Sequence, residues 1–471
     1  MDRQQIYDLV TSKKDIYIKA SDEIWDNPET YFHEFFAAKT LTDILKNEGF
    51  SVEEKVDDIP TAFIASYGSG KPIIGILGEF DALPGLSQKA ECAQRNEIVS
   101  GGAGHGCGHN AIGTGSLAAA VAVKDYMAAT GIKGTVRYYG CPAEEAGWGK
   151  MFLARDGYFD DLDGAITWHP STLNMVQGAG TLANMCAYFT FKGKTAHAAG
   201  APWLGRSALD ACELMNVGVN YLREHVSPEA RMHYAYVDAG GGAPNIVQDH
   251  AKLKYFIRSP QISQVVDICH RVEDIAKGAA LMTGTEVTTH FPAGMCDYIA
   301  NDSLSEILSC ELLLAGAPDF SQEDYQVAEK FYALLSKEEI DISLKKAADC
   351  YDDWQKLQSC ILVDSTAPYR RSSSYGFGST DVGDVSYCTP TAQLNLACYA
   401  NGTPAHSWLL TAQGKSGAMH KALIKAGQIL AATAVSLMES PQVLAKAKEE
   451  YVHATGGKYL CPVGKEEKID F

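Results

Sequence analysis

Residues 102–110, GAGHGCGHN, set two histidines and a cysteine among four glycines. Imidazole and thiolate bind transition metals, and glycine lets the backbone turn where a Cβ would clash. Two chemistries fit this stretch: a flexible cradle for a metal ion, or a reactive thiol, Cys107, beside a base, His109. A dinucleotide-binding loop fits poorly, because the glycines do not directly follow a strand-like run and histidines occupy the middle.

Groups of the same kind recur along the chain. Glu79 and Asp81 lie in GEFDALPG, Glu144 and Glu145 in CPAEEAGWGK, His169 in ITWHP, and Ser379, Thr380, Asp381 and Asp384 in STDVGDVS. Each has an ordinary explanation when taken alone. Cys107 reads equally as one more buried thiol, His169 as a packed imidazole, and the paired glutamates as a solvated helix start. Position is what joins them, since most follow an apolar run that reads as a strand. In open α/β sheets, ligands bind beyond the carboxyl ends of the strands.

The elements that must carry these groups alternate. Residues 71–80, 134–142 and 162–170 read as buried strands, and 111–130 as a helix of small residues, a rhythm that predicts a parallel sheet covered by helices. The pattern changes near residue 183. A strand follows, then a helix over 205–226, two strands over 232–260, a helix over 263–284 and a strand over 285–294. That β-α-β-β-α-β order is a compact inserted unit. The expected fold is therefore α/β: a domain of residues 1–182 and 296–471 with a mostly parallel sheet, split by an α+β insertion at 183–295. The first 25 residues read as an amphipathic helix, and 420–440 as the last helix.

The whole chain sets outer limits. At 471 residues it exceeds what one core usually holds. Its net charge of −18 argues against nucleic acid as a partner. No signal-peptide pattern and no uninterrupted apolar span is seen, Lys425 and Gln428 breaking the longest candidate. The 13 cysteines form no secreted-type framework. A cytoplasmic protein that neither crosses a membrane nor binds nucleic acid is the expectation.

Taken together, GEFDALPG, GHGCGHN, CPAEEAGWGK, ITWHP, GKTAHAAGAPWLGRSALDA and STDVGDVS resemble the M20 family of metallopeptidases and amidohydrolases, subfamily D. Within that family the resemblance is to the aminobenzoyl-glutamate hydrolases, and it covers nearly the whole chain. It implies a two-metal catalytic domain and an inserted lid that mediates dimerisation. Carried over position by position, it makes Cys107, His109, Glu145 and His169 metal ligands and Glu144 the general base. The last ligand is a C-terminal histidine. His406, on a loop after a strand-like run, is preferred to His420, which begins a helix. Asp81 becomes a carboxylate that orients a ligand, and Glu79 receives no role.

In the lid, His197 resembles a histidine that reaches the partner's site to hold the oxyanion, and Asn245 and Arg258 resemble substrate-binding positions. Arginine suits a free carboxylate. The implied cofactors are two divalent ions per chain, zinc or manganese and by extension cobalt. The implied reaction is cleavage of an amide to an amino acid, of the aminobenzoyl-glutamate type, with dipeptides and N-acyl amino acids as alternatives. The implied partner is a second copy of the chain or a homologous subunit. A partner-dependent or non-catalytic subunit of a heteromeric hydrolase is the competing expectation.

Overall fold

The computed structural model describes residues 1–376 and 378–469. Seven strands form one mixed sheet: β1 (Ser51–Glu54), β2 (Phe63–Ser69), β3 (Ile73–Glu79), β4 (Gly134–Cys141), β5 (Gly164–Ser171), β6 (Met175–Val176) and β13 (Thr391–Ala397), the others being numbered below. Their order is β1-β2-β4-β3-β5-β13-β6. The central four, β4, β3, β5 and β13, run parallel, and the flanking strands pair antiparallel.

β3 explains the register. In IIGILGE, Ile74 and Ile76 join one core cluster while Leu77 joins another. Both faces are thus buried, as a near-continuous apolar run requires. On one face lie the helices His109–Thr130 and Gly417–Met438. On the other lie Gly149–Arg155 and Val382–Ser386. The small residues of His109–Thr130 let it sit close to the sheet. A Cβ on Gly115 would lie 2.8 Å from the Trp168 indole nitrogen.

A separate antiparallel sheet holds β8 (Ala183–Lys192), β9 (Arg231–Asp238), β10 (His250–Ser259) and β11 (Glu286–Met295), in the order β11-β8-β10-β9. Burial alternates along β10, and its inner residues pack with the helices Ala208–Leu222 and Ile262–Thr283 in a core of their own. A short parallel pair, β7 (Gly180–Thr181) with β12 (Tyr375–Gly376), lies where the chain leaves the large sheet.

Two expectations for the helices need correction. The first 25 residues form two helices, Arg3–Ser12 and Lys14–Asp26, because Lys13 leaves helical geometry with φ −114° and ψ 11°. Gly417–Met438 is not the last helix. Proline at the first helical position starts another, Pro441–Thr455. By length and composition Gly417–Met438 could cross a membrane, but most of it is buried against the other core helices.

Candidate metal centre

The parallel strands end at one rim. β3 delivers Glu79 there, and the chain then turns to Asp81. After β4, Ala143 takes a left-handed φ of 56° and turns Glu144 and Glu145 inward. β5 carries His169 itself. The glycine loop reaches the rim because Gly108, at φ 81°, packs where a Cβ would lie 2.9 Å from Pro170 Cγ. After β13, the chain returns to the same loop, and the His406 amide donates to the Gly106 carbonyl at 2.9 Å. His406 itself is left-handed, at φ 54°, a conformation uncommon outside glycine.

These turns bring the donors together. Cys107, His109 and His169 place one ligand atom each within 4.8 Å of one another, and so do Cys107, Glu145 and His406. Cys107 belongs to both groups. Its Sγ lies 3.4 Å from His169 Nε2, and His406 Nε2 lies 3.2 Å from Glu145 Oε2. Glu79, His109 and Glu144 form a third such group.

The surrounding hydrogen bonds aim the donors. His169 Nδ1 donates to the Pro170 carbonyl at 2.7 Å, which leaves the Nε2 lone pair free. Asp81 accepts from His109 Nδ1 at 2.8 Å and from the Glu145 amide at 2.9 Å. One carboxylate thereby fixes a member of each group, the arrangement that orients ligands around metals. His109 Nε2 and Glu145 Oε1 lie 3.7 Å apart, both buried and neither hydrogen-bonded. Two orphaned lone-pair atoms facing one gap, beside a shared thiol, fit divalent metal ions.

The charge balance agrees. Glu79, Asp81, Glu144 and Glu145 share this rim with the buried ammonium of Lys150. Burial, then Glu79 and Glu145, push the Glu144 carboxyl well above its usual range. Burial acts the same way on Glu79, but Lys150 and His109 outweigh it and hold Glu79 ionised. Burial and Glu145 also raise the Cys107 thiol. A cysteine nucleophile needs the opposite shift, so the thiol chemistry admitted by the sequence is disfavoured. A divalent ion would displace the thiol proton instead.

Lys150 was not legible as a site residue. It is fully buried, with Nζ 2.7 Å from Glu79 Oε1 and 2.5 Å from Asp381 Oδ1. Asp384 points elsewhere, to the Cys296 amide and the Tyr459 hydroxyl. His105 is buried against the Ile24 carbonyl at 3.2 Å and lies outside the donor groups.

The two candidate C-terminal histidines separate cleanly. His420 Nε2 pairs with Asp22 at 2.8 Å, whereas His406 faces Glu145. Replacing His406 with alanine is expected to remove about half of the bound metal, and His420→Ala to remove none. Metal content of the two purified variants, by mass spectrometry, checks this. Equal loss in both would reject the assignment.

The lid residues stand apart from the donors. His197 is exposed, and its Nδ1 accepts from the amides of Ala199 and Gly200. The Asn245 carbonyl accepts from the Ala198 amide at 3.0 Å, so the two residues are neighbours. Among the described residues, no hydrogen bond or ion pair joins either to the donor groups. Arg258 is half-buried, donates to Ser379 Oγ at 3.2 Å, and leaves Nε without a partner.

Residues 182–282 match the peptidase dimerisation domain family. The chain is 43% identical over 472 residues to a subunit of the p-aminobenzoyl-glutamate hydrolase of Escherichia coli K12, covering 98% of each. It is 27% identical over 445 residues to the Xaa-Arg dipeptidase of Mus musculus, covering 92% of this chain and 88% of that one. Among solved structures, a dinuclear metal-binding M20 peptidase from Bacillus subtilis superposes with a TM-score of 0.59 at 16% identity, covering 91% and 99%.

Proposed function

The chain belongs to the M20 family of metallopeptidases and amidohydrolases, and from that premise we propose that it hydrolyses the amide between an aromatic acyl group and glutamate, as in aminobenzoyl-glutamate. The observation that carries this reading is the pair of donor groups sharing Cys107, with Glu144 alongside. Cys107, His109 and His169 would hold one divalent ion, and Cys107, Glu145 and His406 the other. Bound there, zinc or manganese would supply Lewis acidity toward the amide carbonyl and toward water.

The chain's own residues do the rest. Glu144 takes a proton from the attacking water as its oxygen bonds to the carbonyl carbon. It passes that proton to the amide nitrogen as the C–N bond breaks. Asp81 holds His109 and Glu145 in register throughout. Arg258, half-buried with an unpartnered Nε, suits the carboxylate of the amino-acid half. This favours N-acyl amino acids and dipeptides over neutral amides.

His197 and Asn245 carry a second element of the reading. Both are exposed on the lid and away from their own donor groups. They suit service across a subunit boundary, where His197 would hold the developing oxyanion of the partner's reaction. Exposed Trp203, Tyr221 and Leu281 on the same lid support association. A second copy is the proposed partner, and a homologous subunit is the alternative that the E. coli relative's name suggests. All 13 cysteines are free, which supports a reducing, cytoplasmic setting.

Metal content and hydrolysis are to be measured together, with and without chelator, on aminobenzoyl-glutamate, acetyl-glutamate and a dipeptide panel. About two ions per chain and chelator-sensitive cleavage of the aryl amide are expected. Metal binding with cleavage only after a homologous subunit is added would favour the partner-dependent subunit. Metal binding with preference for dipeptides would reject the aryl substrate.

A further inference from the structure

Beside the donor groups the rim opens into a cavity of about 250 Å³. Its near wall belongs to the metal centre. His169 and Pro170 line it, and Pro404 and Ala405 lead directly into His406. Its far wall is the helix Lys337–Ala348, which presents Glu339, Ile342, Ser343 and Lys346. These positions are spaced three and four apart, so a single helix face looks into the cavity.

That helix is held firmly. Ser336 and Glu339 close a capping box at its start. Ser343 Oγ lies 2.9 Å from Thr172 Oγ1, just past β5, and 2.8 Å from Asn401 Oδ1, past β13. Leu344 and Ala347 are buried with Leu173 and Ala397. Ile342 points the other way and is 52% exposed. A large aliphatic side chain on a rigid element, facing a cavity beside the reacting groups, gains when an apolar ligand covers it.

The layout of the rim says which half of a substrate arrives there. Arg258 meets Ser379, two residues from Asp381, which pairs with Lys150 and so with Glu79 at the end of β3. The cavity lies on the opposite side, at the ends of β5 and β13. A substrate whose carboxylate reaches Arg258 and whose amide meets the donors must send its acyl group toward Ile342.

We propose that this cavity is the acyl subsite and that it takes a planar aromatic acyl group with a polar substituent. The ring lies against Ile342, between Pro170, Tyr399 and Pro404, which have few rotamers to lose. The substituent lies beside Glu339 or Lys346, one helical turn to either side of Ile342. This rests on the reaction proposed above, whose substrate it specifies.

The test uses the whole chain, freed of metal, and 4-aminobenzamide as a neutral probe of the acyl group. Calorimetry is expected to show binding to wild type, a loss of about tenfold or more in Ile342→Trp, which fills the cavity, and a similar loss in Ile342→Ala. The alanine variant only shortens an exposed side chain, so it gives a reading even if the tryptophan variant does not fold. No binding to wild type, or equal binding to all three, overturns the subsite. Turnover by the metal-loaded proteins separates the two proposals. Wild-type kcat/KM on aminobenzoyl-glutamate in Ile342→Trp would overturn the subsite and leave the reaction. Binding as expected without any aryl-amide cleavage would support the subsite and overturn the reaction.

Discussion

Replacing Glu144 with glutamine is expected to lower kcat by about 10²–10⁴-fold, with metal content unchanged. Glu144 shares the third donor group with Glu79 and His109, but the two groups that share Cys107 do not include it. Glutamine keeps its shape and much of its polarity and removes only the capacity to carry a proton. Burial and the neighbouring carboxylates raise the Glu144 carboxyl, which strengthens it as a proton acceptor, while Lys150 holds Glu79 ionised. The measurement is kcat and KM on aminobenzoyl-glutamate alongside metal content. A variant that loses metal in proportion to activity would make Glu144 a ligand and not a base.

Lys150→Met is expected to destabilise the metal-free protein by about 3–5 kcal/mol, the cost of removing one partner from a buried ion pair. Glu79 and Asp381 would be left as buried carboxylates with their shared cation gone. Burial already raises Asp381 to about 6 and would raise it further without Lys150, and Glu79, which Lys150 holds low, would rise above its unfolded value as well. A raised acid binds more protons folded than unfolded, so the lost stability returns as pH falls. Urea unfolding near neutrality and near about pH 5.5 checks both parts, with a smaller gap between variant and wild type expected at the lower pH. An equal gap at both would mean that lost packing dominates, not charge.

The order of the inserted unit was legible because each strand and helix keeps a clean period, as β10 shows in its alternating burial. Glu145, His169 and His406 were legible because they lie at or after the ends of strand-like runs, where an open sheet collects its ligands, and Cys107 and His109 because a thiol and an imidazole stand among glycines. The choice between His406 and His420 was not settled by the residues themselves, since it depends on where Asp22, nearly 400 positions away, presents its carboxylate. Lys150 escaped because lysine is rarely buried unless paired. The four acids gathered on the rim were the available sign that a buried cation was needed. The helix Lys337–Ala348 also escaped, although its Ser336-x-x-Glu339 start is a readable capping box.

The backbone bond from His406 to Gly106 has a consequence for the order of folding. It ties together ligand loops about 300 residues apart in the chain. Closing a loop of that length costs about 5 kcal/mol in chain entropy. The packing of the sheet and its helices has to meet that cost. The inserted unit and the helices that follow it lie within the span between the two loops, so the two halves of the site come together only once most of the chain is in place.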